Sequence, residues 1–148
     1  MKREEPSGVA DVGGLVDKSS ATLAVYGEKL DPHEVTKLLG VEPTQSFPPG
    51  YRRGPRSPAI KHGAWFLRVE GVAPAGPDEH LKAVLFRLPT EAAKWQQLHA
   101  SYRVEIRVGI HFDAWNRGFT LSSETLSRIH TVGAPMEFDI YAYAREDA

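Results

Sequence analysis

The sequence predicts an α+β domain: a mixed, largely antiparallel β-sheet with helices packed on one face. Three observations predict it. Tyr102 to Phe112 alternates strictly, with Val104, Ile106, Val108, Ile110 and Phe112 interleaved with Arg103, Glu105, Arg107, Gly109 and His111. Met136 to Tyr143 does the same, with Met136, Phe138, Ile140 and Ala142 on one side and Glu137, Asp139, Tyr141 and Tyr143 on the other. Residues two apart on a strand point the same way, so each strand has one apolar and one polar face. Between the strands run segments with apolar residues at helical spacing, which supply cover for one side only. The element order reads βαβ, a long helix, βαβ, and a ferredoxin-like sandwich or a variant of it is the nearest common topology.

The elements follow in order. Residues 1–20 are expected to form a disordered tail, because Lys2 to Glu5 are charged and Pro6, Ser7, Gly8, Gly13 and Gly14 break any pattern. No apolar stretch of a signal peptide follows the basic start. Residues 21–148 are expected to form a single domain. Ala21 to Gly27 is a short apolar strand. Asp31-Pro32 caps and opens a helix with Val35, Leu38 and Leu39 on one face and Gly40 as its stop. Residues 41–58, with Pro43, Pro48, Pro49, Gly50, Gly54, Pro55 and Pro58, read as an irregular loop. Ala64 to Glu70 is a strand with Trp65, Leu67 and Val69 on one side. Asp78 is placed to cap the next helix, whose Leu81, Val84, Leu85 and Leu88 recur at helical spacing. Pro89 interrupts it, and Thr90 recaps a continuation carrying Ala92, Trp95 and Leu98. Residues 118–121 read as a short extended piece. Ser122 then caps a last helix, with Leu126, Ile129 and Val132 inward and Gly133 as its stop.

Composition removes several function classes. With 148 residues, 18 Lys plus Arg and 19 Asp plus Glu, the chain has a net charge of −1, unlike a dedicated DNA binder. It has no Cys, hence no disulfide, thiolate metal site or cysteine nucleophile. No run approaches the roughly 20 apolar residues of a membrane span. A cytoplasmic location is expected. His33, His62, His80, His99, His111 and His130 form no HxH or HxxxH pair, so no metal site is expected, and nothing calls for a cofactor. There is no nucleophile elbow, glycine-rich phosphate cradle or Walker lysine. Glu137 and Asp139, roughly 6–7 Å apart by strand rise, are the one carboxylate pair at a catalytic distance, and any solvated strand face supplies as much. No catalytic residue is assigned, and whether the chain is an enzyme stays open.

Two surfaces carry candidate binding residues. The polar faces of the strands gather Arg68, Arg107, His111, Asp139 and Tyr141, a mixture that suits a polar ligand or a protein partner, and equally a lattice of solvated ion pairs. The loop Pro48 to Arg56 concentrates Arg52, Arg53 and Arg56 around Tyr51. Arg53 is its candidate contact for a small anionic ligand, although a solvated loop explains the same residues. Trp115, beside Arg117 in a loop, has the character of a binding anchor. An exposed strand edge would admit a homodimer.

Certain blocks resemble a known family. Gly27-Glu28, Leu30-Asp31-Pro32 and the run from Thr36 to Thr44, with Gly50, Trp65, His80-Leu81, the Leu121 to Leu126 helix start and the closing Asp139-Ile140-Tyr141, resemble the bacterial proteins grouped as domain of unknown function 4279. The likeness covers residues 21–143, and the Arg/Pro loop and the N-terminal extension stand outside it. The resemblance implies no assigned activity. The residues favour a non-catalytic binding or interaction module, since no catalytic group is evident and the charge mix suits a protein partner; the resemblance adds that some relatives of such small bacterial domains look like immunity proteins. The alternative from the residues is a ligand-binding protein or small enzyme, with its site between the Arg-rich loop and the polar sheet face.

Overall fold

A computed structural model describes residues 13–143. Its five strands are β1 (Lys18–Gly27), β2 (Gln45–Phe47), β3 (Gly63–Val72), β4 (Arg103–Phe112) and β5 (Met136–Ala142). Its four helices are α1 (Pro32–Leu39), α2 (Pro77–Leu85), α3 (Ala92–Ser101) and α4 (Ser123–Val132). The strands form one sheet in the order β2-β3-β1-β4-β5. All neighbours are antiparallel except β4 and β5, which are parallel. The fold is therefore α+β with a mixed, mostly antiparallel sheet. Only β4-α4-β5 is a parallel βαβ unit; β1 and β3 are joined through α1 and β2 and run antiparallel.

One side of the sheet makes the core. Ala21, Leu23 and Val25 of β1, Trp65 and Leu67 of β3 and Val104, Ile106, Val108 and Ile110 of β4 pack with Val35, Leu39, Leu81, Val84, Leu85, Trp95, Leu98 and Val132 of the helices. The helix ends follow their sequence signals. Asp31 accepts from His33 N and Pro32 opens α1, while Gly40 takes the left-handed conformation (φ 70°) that ends it. Ser122 and Gly133 serve α4 in the same way.

Several expectations change. β1 begins at Lys18 and Val16 is already buried, so ordered chain starts before residue 21; residues 1–12 of the expected tail lie outside the described residues. The 41–58 segment contains β2, held on β3 by register pairs Gln45 with Phe66 and Phe47 with Ala64. Residues 118–121 form no strand; Gly118 N donates to Gly14 O at 3.1 Å instead. α2 is capped by Gly76, whose N–H donates to Glu79 Oε2 at 2.9 Å, with Pro77 in its first turn. Asp78 caps no helix of its own: its Oδ1 accepts from Ser122 N at 2.9 Å, at the start of α4. Burial pushes the Asp78 carboxyl up, but bonds from Thr125, Ser122 N and Lys82 outweigh it and hold the group below its ordinary range. α3 starts behind Glu91 rather than Thr90.

The anchor on Asp78 also rotates α4. Thr125, not Leu126, faces inward and is fully buried, with its hydroxyl on Ser122 Oγ. Leu126 is 52% exposed. His80 is buried, and its Nδ1 shares a hydrogen bond of 2.8 Å with Ser19 Oγ. No helix among the described residues is long and apolar enough to cross a membrane.

Candidate binding site on the open face of the sheet

Among the described residues no helix packs on the other side of the sheet. Its side chains stand in rows that the strand registers define. One row is Arg68, Thr22, Arg107 and Glu137, taken across β3, β1, β4 and β5. The next is Glu70, Ser20, Gly109 and Asp139. The third is Val72, Lys18, His111 and Tyr141. The middle row places its two smallest side chains, Ser20 and Gly109, opposite each other at the centre. A dip results, because long side chains stand on every side of two short ones. A Cβ at position 109 would lie 2.7 Å from Ser20 Oγ, so a larger residue there turns the Ser20 hydroxyl aside and begins to fill the dip.

The dip is a cavity of about 620 Å³. Arg68, Arg107, His111, Asp139 and Tyr141 all line it, together with Ser20, Thr22, Phe66 and Glu137. Thr44 and Gln45, at the start of β2, close the side nearest β3. Five of the seven candidate residues thus come together. Arg53 and Trp115 do not. Arg53 is exposed in the loop after β2, and Trp115 is 95% exposed. Arg117, its neighbour, donates to Gly13 O at 2.8 Å.

The charges of the cavity are balanced and partly committed. Arg107 Nε donates to Glu105 Oε1 at 2.9 Å and lies 3.5 Å from Glu137 Oε1. Its two Nη groups, the fork that matches a carboxylate or phosphate, make no hydrogen bond among the described residues. Arg68 Nη1 donates to Thr22 Oγ1 at 3.4 Å, and Nε lies 3.5 Å from Glu70. The two arginines flank the nearly buried Thr22 from either side. Across the dip, Tyr141 donates its hydroxyl to Asp139 Oδ2 at 2.5 Å. That bond to a carboxylate, with the carboxylate's charge, raises the Tyr141 phenol above its ordinary value. His111 stacks on the Tyr141 ring at 4.5 Å and shares a 2.6 Å hydrogen bond with the Tyr143 hydroxyl. Tyr26, beyond the arginine row, is also raised, by burial first, with Arg107 opposing.

The family can now be stated. The sequence pattern described as domain of unknown function (DUF4279) matches residues 17–143. The chain belongs to the DUF4279 family. Within this member, the closing Asp139-Ile140-Tyr141 block divides by strand alternation: Asp139 and Tyr141 enter the cavity, and Ile140 turns to the other face. No curated protein and no solved structure matches the chain.

Sequence reasoning missed Ser20, Thr22, Gly109, Phe66, Thr44 and Gln45. The signal for the first two was present, since Ser20, Thr22 and Ala24 alternate with Ala21, Leu23 and Val25. It was hidden because a central strand buries both of its faces. Thr44 and Gln45 depend on β2, which its flanking prolines concealed. Among the described residues no group of His, Asp and Glu is arranged to hold a metal ion.

Proposed function

We propose that the chain is a non-catalytic binding protein that holds a small polar molecule bearing an anionic group on the open face of its sheet. One observation carries this reading: the cavity over Ser20 and Gly109, with the Arg107 fork and Arg68 on one flank and Asp139 on another. The arginines receive a carboxylate or phosphate above Thr22. Asp139 accepts from a hydroxyl or amine of the same ligand, and the stacked His111 and Tyr141 rings give it a flat wall. A flat patch would suit a docked protein, the role the charge mix of the sequence favours; a hollow of small-molecule size favours a ligand. Among the described lining residues no serine or threonine hydroxyl is hydrogen-bonded to a histidine or carboxylate as an activated nucleophile would be; the hydroxyls on Asp139 and His111 are the phenols of Tyr141 and Tyr143, and that of Tyr141 holds its proton more tightly than usual.

The test is a thermal-shift and titration calorimetry panel of inorganic phosphate, phosphorylated sugars, amino acids and di- and tricarboxylates. At least one probe raises the midpoint of the native chain, since a ligand at 100 times its Kd stabilises by about 2.7 kcal/mol. The Arg68→Gln/Arg107→Gln double variant keeps its own midpoint and loses the shift. If no probe shifts the native chain, or the double variant responds equally, the reading is wrong.

A further inference from the structure

We infer that the open edge of β5 is where a second copy of this chain adds its own β5, antiparallel, about a two-fold axis at Ile140. This concerns the backbone edge of β5 rather than the cavity, although Glu137, Asp139 and Tyr141 belong to both, and it does not rest on the function proposed above.

The two edges of the sheet are unlike. β2 is three residues long and lies between Pro43 and Pro48, which is how sheet edges are usually blunted. β5 is seven residues long, without proline or glycine, and ends the sheet on the other side. Its backbone orientation follows from its bonds to β4. Ile106 N donates to Pro135 O, and Tyr143 N donates to Phe112 O, both at 2.9 Å. Odd-numbered residues of β5 therefore turn their backbone groups toward β4. Phe138, Ile140 and Ala142 turn theirs outward. Among the described residues nothing pairs with them. The apolar face of the same strand is bare as well, with Ile140 58% exposed and Phe138 stacked only on the exposed Phe119 at 6.5 Å.

The side chains choose the partner and the register. In an antiparallel pair, directly opposed residues share a face. Centring the pair on Phe138 sets Glu137 against Asp139, and centring it on Asp139 sets that carboxylate against itself; like charges directly opposed are destabilising. Centring it on Tyr141 leaves only residues 140–142 of β5 paired. Centring it on Ile140 sets Ile140 against Ile140, Phe138 against Ala142, Asp139 against Tyr141 and Glu137 against Tyr143. Every apolar residue then meets an apolar one, and every carboxylate meets a phenol that can donate to it. A strand whose sequence complements itself in one register fits a second copy of the same chain, and the two-fold symmetry closes the assembly as a dimer. The two sheets become one, and the Tyr141 of each copy lies beside the Asp139 of the other.

The absence of cysteine in the native chain makes the register readable. Opposed residues of a hydrogen-bonded pair have Cα atoms about 5.5 Å apart, within disulfide range. The full-length Ile140→Cys variant, oxidised with glutathione disulfide, forms a covalent dimer at least tenfold faster than Asp139→Cys, whose Cα atoms lie diagonally apart. In sedimentation velocity the native chain shifts from monomer to dimer with concentration. Ile140→Lys raises the dissociation constant at least tenfold, with an unchanged circular dichroism spectrum. Ligand-induced thermal shifts of Ile140→Lys report on the cavity separately. A native chain that stays monomeric up to about 1 mM, or Asp139→Cys crosslinking as fast as Ile140→Cys, overturns the inference.

Discussion

Leu23 and Thr22 are neighbours on β1 with almost the same exposure, 0% and 6%, yet they are buried by different means. Leu23 is covered by helices and apolar side chains. Thr22 is flanked by Arg68 and Arg107 on the neighbouring strands, and Arg68 reaches its hydroxyl. The first kind of cover is closely packed and cannot be withdrawn without opening a void. The second consists of long, hydrated side chains that can move aside at little cost. The same relative exposure therefore marks a stability determinant on one face and, in the function proposed above, a ligand seat on the other.

Substitutions can break or sharpen that contrast. Leu23→Ala has the largest expected effect, a loss of about 3 kcal/mol from a cavity that the packed helices cannot close, read as a lower urea midpoint at unchanged slope. Asp78→Asn costs about 1.5 kcal/mol by weakening the bonds that hold the start of α4. Its pH signature is specific. The folded Asp78 carboxyl titrates below its unfolded value of roughly 3.9, so its contribution is complete above that value and is lost as pH falls through the folded one. The stability difference between native chain and Asp78→Asn should shrink across that acid range. Gly109→Val is expected to cost at most about 1 kcal/mol, because its Cβ need only turn the Ser20 hydroxyl aside; it also fills the dip and abolishes any ligand-dependent thermal shift. Thr22→Val is expected to cost under about 1 kcal/mol, since it keeps the volume and removes only a hydroxyl that accepts a long 3.4 Å bond. A Thr22→Val loss equal to that of Leu23→Ala would remove the distinction between the two faces.

Much of this architecture is written locally. The caps at Asp31, Gly40, Ser122 and Gly133 and the alternation in β4 are signals within a few residues, and all of them hold; in β5 the alternation sets the two faces, but the apolar one stays exposed. What escaped depends on partners distant in sequence. Asp78 looks like a helix cap because it precedes an apolar stripe by three residues, but its amide partner is Ser122. Leu126 looks inward by periodicity until Thr125 is tied to Ser122 and Asp78. β2 exists because Thr44 N and the Thr44 hydroxyl both donate to Phe66 O, which no turn or propensity rule foretells. For the site, alternation grouped Arg107 with His111, and Asp139 with Tyr141, but the hollow between them comes from the register that sets Ser20 against Gly109. Arg53 and Trp115 were chosen for residue type and loop position, and neither places a side chain.

The tryptophans divide the molecule for spectroscopy. Trp65 and Trp95 are sealed, with their indole N–H groups on Thr36 Oγ1 and Pro89 O, while Trp115 stands in solvent. Red-shifted emission from the native chain belongs to the loop after β4, and iodide will quench that component first. Replacing Trp115 with phenylalanine leaves a blue-emitting protein whose fluorescence follows the interior alone, a clean optical gauge of unfolding.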